Sequence, residues 1–159
     1  MVTSTPDQPR AVAATGPVLF AYDGSELARF AIEQGARELV AGREALVLCV
    51  WQPVDVGFVP VSERHFDADQ ATEVRSAAEE TAAHGASLAK AAGFRAQSIA
   101  VESAPTWKGI LDTAEERHAS LIVVGSHRRG GLMGHLHGNI AAGVIAHAPI
   151  SVLVVRPQP

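Results

Sequence analysis

The chain of 159 residues holds one cysteine, Cys49, and two lysines, Lys90 and Lys108. A lone cysteine has no intrachain disulfide partner, which excludes a disulfide-stapled secreted scaffold and suits a reducing compartment. Lying inside the apolar run ALVLCV, it reads as core filling. Basic residues are also short: 13 Lys and Arg face 17 Asp and Glu, for a net charge of −4. That balance excludes the broad positive footprint of a general nucleic-acid binder, so any basic patch must be local. No apolar run approaches the roughly twenty residues a membrane helix needs. Residues 1–16, MVTSTPDQPRAVAATG, are small and polar with two prolines and no apolar signal-type core, and are expected to form a flexible leader. Residues 17–157 are expected to form one domain, soluble and cytoplasmic.

What the chain has is an alternation of apolar runs and helical patterns. Five runs read as strands: Val18 to Tyr22, Ala45 to Trp51, Ala96 to Val101, Leu121 to Val124 and Ser151 to Val155. They are mostly continuous, as expected for a sheet covered on both faces. Between them, Ser25 caps a helix carrying Ala28, Ile32, Gly35 or Ala36, and Leu39 up to Gly42. A second helix is expected from about Asp67 to Ala92, with Ala71, Val74, Ala78, Thr81, Leu88 and Ala92 on its inner stripe and Gly93 as its stop. A third places Trp107, Ile110, Leu111 and Ala114 on one face as packing residues, and a fourth follows Asn139 as N-cap and ends at Pro149. This alternation implies right-handed crossovers and a doubly wound, mostly parallel α/β sheet. The segment of residues 51–66 reads as a connector with some lid character.

In such sheets ligands lie beyond the carboxyl ends of the strands, where strand order reverses. Two strand ends carry polar chemistry. The first ends in AYDGS, with Asp23 at the rim; the fourth ends at Gly125 and opens the loop GSHRRGGLMGHLHGN. Six glycines lie between Gly125 and Gly143, where missing side chains let backbone N–H groups approach a phosphate. Arg128 and Arg129 add local positive charge, and a helix capped by Asn139 would turn its amino end on the same anion. Asp23 before Gly24 and Ser25 reads equally well as a turn residue. The loop is no Walker P-loop, because Gly131 and Leu132 stand where lysine and a hydroxyl residue are required, and AYDGSE offers no GxGxxG. His127, His135 and His137 lack the cysteine or carboxylate partners a metal site would need, and no metal site is expected.

The stretches VLFAYDGSELA, VLCVW and APISVLVV, with the glycine loop, resemble the universal stress protein family from Pro17 to Arg156. The family's nucleotide-binding branch carries Gly-x2-Gly-x9-Gly-(Ser/Thr) after the fourth strand. Laid on Gly125 to Asn139, that pattern meets Arg128 at its second glycine and Asn139 at its hydroxyl residue. The resemblance implies a five-stranded parallel sheet of order 3-2-1-4-5, a homodimer through the last strand, and ATP held by the loop and first strand. AMP or a cyclic nucleotide are the alternatives, with Mg2+ accompanying ATP. By position, Asp23 and Val50 would face adenine, and Gly125, Gly138 and Asn139 the ribose and phosphates. Ala21, Tyr22, Ser126, His127, Arg128, Arg129, Gly130, Gly131 and Gly134 complete the candidate nucleotide-binding set. Arg128 is either a phosphate ligand through its guanidinium or an obstruction. The implied function is a stress-linked sensor or regulator with slow hydrolysis at best. The alternative is a scaffold of the same fold, without nucleotide, that works through protein partners.

Overall fold

The computed structural model describes residues 16–52, 68–127 and 134–158. Nine elements alternate along them: β1 Val18–Ala21, α1 Glu26–Glu38, β2 Glu44–Trp51, α2 Ala68–Ala91, β3 Arg95–Glu102, α3 Thr106–Glu116, β4 Leu121–Gly125, α4 Gly134–His147 and β5 Ser151–Val155. The five strands form one parallel sheet in the order β3-β2-β1-β4-β5, so the expected doubly wound topology and its strand order are observed.

Side chains leave the sheet alternately, and each face builds its own core. Val18 and Phe20 of β1, with Tyr22 just beyond it, join Val47, Val123 and Phe94 under α1 and α2, where Ala31, Ile32, Ala86 and Ala89 meet them. Leu19 faces the other way and packs with Leu48, Ile122 and Val124 against Ile110 and Ala114 of α3 and Ala141 and Val144 of α4. Phe20 and Leu19 are fully buried, each worth about 1.5 to 3 kcal/mol of transfer free energy. Cys49 fills a smaller pocket against Ala78 and Ala82, and burial pushes its thiol pKa up.

Local signals set the helix ends. Ser25 Oγ accepts the Ala28 N–H at 3.1 Å, and the acidic Glu26 sits in the first turn of α1, as its sequence requires. The helix stops at Glu38 and does not reach Gly42, because Leu39 is already extended. At the end of α2, Gly93 takes φ +104°, while Gly93 N donates to Lys90 O and Phe94 N to Ala89 O. This is a Schellman closure.

Two expectations are corrected. Of the expected inner stripe of α2, Ala78 is buried and Leu88 and Ala92 pack against the core, but Val74 is left 40% exposed and Ala82, Ala86 and Ala89 complete the buried face; the small residues let the helix lie close on β2 and β3, and Gly85 admits the Tyr22 ring, whose Cδ1 would stand 2.6 Å from an added Cβ. And α4 begins at Gly134, so Asn139 lies five residues inside the helix and is not its cap. Residues 134–139 contain no proline, so each residue added continues the backbone ladder anchored by Ile140, Ala141 and Val144 in the core, at a cost of about 1 kcal/mol per glycine relative to alanine.

Candidate functional site

β1 is the shortest strand, and its brevity makes the site. Its last register pair with β2 is Ala21↔Leu48, whereas β2 continues through Cys49, Val50 and Trp51, and on the other flank β4 runs to Gly125. A notch therefore opens above the carboxyl end of β1 between its two neighbours. In a parallel strand a residue's N–H and C=O point to the same side, and the side alternates from residue to residue. Leu48 faces β1, since its carbonyl accepts the Tyr22 N–H at 2.8 Å. Val50, two residues on, faces the same way with no β1 residue opposite, so its amide and carbonyl look into the notch.

The cleft at this notch has a cavity volume of about 70 Å³ and opens to solvent. Ala21, Tyr22 and Asp23 form its floor, Leu48 and Val50 one flank, Val124 and Gly125 the other. Ser25, Leu27 and Ala28 at the start of α1, Thr106 and Ile110 of α3 and Ile140 of α4 close it over. Five expected residues thus meet in one place: Ala21, Tyr22, Asp23, Val50 and Gly125. They come from three strands, with about a hundred residues between the first and last.

Each has a local reason for its position. Asp23 Oδ1 accepts the Ser25 N–H at 2.9 Å, an Asx turn that aims the carboxylate along the rim and sets up the Ser25 cap. Asp23 brings the one carboxylate among the described lining residues, beside the amino-terminal ends of α1 and α3, whose dipoles favour negative charge. The ring of Tyr22 turns to the α2 side, where its hydroxyl meets His84 Nδ1 at 2.9 Å, and leaves its backbone edge for the cleft. Desolvation, then the neighbouring Asp23 charge, raises its phenol pKa above the usual tyrosine value. Gly125 is demanded by packing: a Cβ there would come 2.7 Å from Leu27 Cγ and 3.1 Å from the Leu27 carbonyl oxygen.

The other expected residues are placed differently. Ser126 donates its N–H to Val155 O at 2.9 Å and its hydroxyl to His127 O at 3.3 Å, so it joins the β4–β5 rim instead of lining the cleft. His127 is exposed and does not line it either. Gly134, Gly138 and Asn139 belong to the backbone of α4. Arg128, Arg129, Gly130 and Gly131 lie outside the described residues, as does the expected connector from residue 53 on. No three His, Cys, Asp or Glu side chains gather in metal-binding geometry among the described residues, and no described helix is long and apolar enough to cross a membrane.

Sequence reasoning missed Thr106 and Ile110. Their signal was present: ESAPT is a third polar strand end on the same rim as AYDGS, and the carboxyl-end rule applies to it as well.

A family model described as the universal stress protein family matches residues 15–156. A universal stress protein of Mycolicibacterium smegmatis is 32% identical over 143 residues, which is 89% of this chain and 46% of that protein. The chain therefore spans less than half the length of this curated relative. Among solved structures, a hypothetical protein whose biochemical function was assigned from its structure aligns with a TM-score of 0.72 at 23% identity, covering 91% of this chain and 97% of the other. A universal stress protein in complex with cAMP aligns at 0.59 and 20% identity, over 90% and 98% of the two chains. The universal stress protein of Archaeoglobus fulgidus in complex with dAMP aligns at 0.56 and 21%, over 87% and 96%. At these identities the structural likeness concerns the fold.

Proposed function

The chain belongs to the universal stress protein family, and from that premise we propose that the notch above β1 binds an adenine nucleotide and that the protein works as a cytoplasmic stress sensor or regulator. The observation that carries this reading is the main chain of Val50, whose N–H and C=O face the notch with no strand opposite. Side by side, a donor and an acceptor match the N1 acceptor and N6 amino donor of adenine. The carboxylate of Asp23 stands on the floor beside this edge, suited to accept from a ribose hydroxyl. The apolar walls of Leu48, Ile110, Val124 and Ile140 suit a flat base. The complexes of related folds with cAMP and dAMP lend support to an adenine ligand.

ATP, AMP and a cyclic nucleotide all present this base and ribose; ATP would bring Mg2+ with it. Gly125, Ser126, His127, Arg128, Arg129, Gly130, Gly131, Gly134, Gly138 and Asn139 are the candidates for the phosphate side. Binding without rapid turnover is the proposed role, because the one carboxylate among the described lining residues, Asp23, is already held by the Ser25 amide.

Calorimetric titration with AMP and ATP tests the reading. Asp23→Ala is expected to weaken binding by about 1.5 to 3 kcal/mol, the range for a hydrogen bond to a charged group, while unfolding stays cooperative. Unchanged affinity would remove Asp23 from the site. A second reading, a scaffold acting through protein partners, draws on two observations: the Asx turn and the Leu27 contact account for Asp23 and Gly125 without any ligand. No binding of either nucleotide to the wild-type protein would favour it.

We also propose a homodimer through β5. It is an edge strand whose Val152, Leu153 and Val154 are only partly buried and whose five residues carry no charge, beside a hollow bordered by Phe30, Gln34 and Arg37 of α1. The opposite edge, β3, carries Arg95, Gln97, Ser98 and Glu102 and is protected by polarity. Val154→Lys is expected to shift the mass in light scattering toward a monomer; an equally dimeric variant would point to another face.

A further inference from the structure

At the α3 side of the cleft two polar side chains are joined across the rim: Gln52 Nε2 donates to Thr106 Oγ1 at 3.4 Å. Thr106 is the first residue of α3 and lines the cleft. Its height over the sheet is set one turn later, where Gly109 lies so close to β2 that an added Cβ would stand 3.1 Å from Val50 Cγ1. The first turn of α3 thus rides over the strand end whose main chain faces the notch.

A threonine inside a helix can return its hydroxyl proton to the carbonyl four residues back, as Thr113 does to Gly109 O at 2.8 Å. Thr106 has no helical turn before it and lacks that outlet. A hydroxyl has one proton and two lone pairs. With the Gln52 amide on one lone pair, the proton of Thr106 is left for an acceptor in the cleft.

We infer that Thr106 is a base-reading residue, donating its hydroxyl proton to an acceptor nitrogen of the purine ring, with Gln52 as the positioning residue that holds the hydroxyl in that role. The inference rests on the nucleotide reading and extends it: Val50 holds one edge of the base, and Thr106 senses a ring nitrogen away from that edge. N7 and N3 are the two such acceptors on adenine.

The experiment is calorimetry with AMP, 7-deaza-AMP and 3-deaza-AMP on wild type, Thr106→Val, Thr106→Ser, Gln52→Ala and the Gln52→Ala/Thr106→Val double variant. Thr106→Val should bind AMP about five- to tenfold more weakly, the fold-change of one net hydrogen bond, whereas Thr106→Ser should stay near wild type. Gln52→Ala should lose less than Thr106→Val and nothing further in its background. One deaza analogue should bind wild type and Thr106→Val alike, and it identifies the nitrogen read. Equal AMP affinity of wild type and Thr106→Val, or a loss that both deaza analogues show undiminished, overturns the inference while leaving the nucleotide reading intact. Failure of the wild-type protein to bind AMP removes that reading, and this inference with it.

Discussion

At the amino end of the sheet, Arg43 Nη2 donates to Ser120 Oγ at 2.6 Å, Ser120 Oγ donates to Gly16 O at 2.8 Å, and Ser120 N donates to Pro17 O at 3.0 Å. Arg95 Nε closes on Gly42 O at 3.0 Å, and its Nη2 stands 3.6 Å from Glu44. Lys90 in the last turn of α2 and Arg117 at the C-cap of α3 sit where helix dipoles present their negative ends. At the carboxyl end, by contrast, Val50 has a main chain with no strand opposite, Asp23 points along an open rim, and the amino ends of α1 and α3 converge on the cleft. The groove bordered by Lys90, Arg95 and Arg117 is the more cationic of the two, yet its charges already answer the chain's own helix ends and carbonyls. The cations of that groove are thus answered within the chain, whereas at the cleft the Val50 main chain has no strand opposite and the amino end of α3 has no side-chain cap.

Three variants sharpen or break this contrast. The largest effect is expected at Gly125→Val, where the new side chain must displace Leu27 and meets the Leu27 carbonyl; stability should fall by about 1 to 3 kcal/mol in denaturant unfolding, and nucleotide affinity with it. Affinity lost with stability intact would instead make Gly125 a ligand contact first. Ser120→Ala comes next. It strands the Arg43 guanidinium and the Gly16 carbonyl, so about 1 to 2 kcal/mol of stability should go while AMP affinity holds. A change in affinity there would mean that the two rims are coupled. The smallest effect belongs to Lys90→Gln combined with Arg117→Gln, a drop in melting temperature that shrinks as salt is added, with binding untouched. A salt-independent loss would overturn the helix-dipole account of these two cations.

Much of the fold was legible because its signals are local. Ser25 as cap, Gly93 as stop, and five apolar runs divided by helical patterns each depend on neighbours a few residues away, and each stands where the pattern put it. The start of α4 was not legible. Gly134 and Gly138 read as loop by propensity, yet the helix runs through both because Ile140, Ala141 and Val144 anchor it in the core. The inner stripe of α2 was legible in part: Ala78, Leu88 and Ala92 face the core, but periodicity also favoured Val74, while the close approach to β2 selected Ala82, Ala86 and Ala89. At the site, Asp23, Val50 and Gly125 were found through strand ends and family resemblance, but Thr106 was not, because ESAPT was not read as a polar strand end on the same rim.

The amino-acid sequence by itself determined the element types, their order and hence the doubly wound topology, since hydrophobic period, caps and turn residues act over a few positions and crossover handedness follows from chain chirality. Only the tertiary structure decided where the cleft lies and what faces it. Val50 presents its backbone because β1 stops opposite Leu48, and that is a matter of register between strands, set when two cores pack on opposite faces of one sheet.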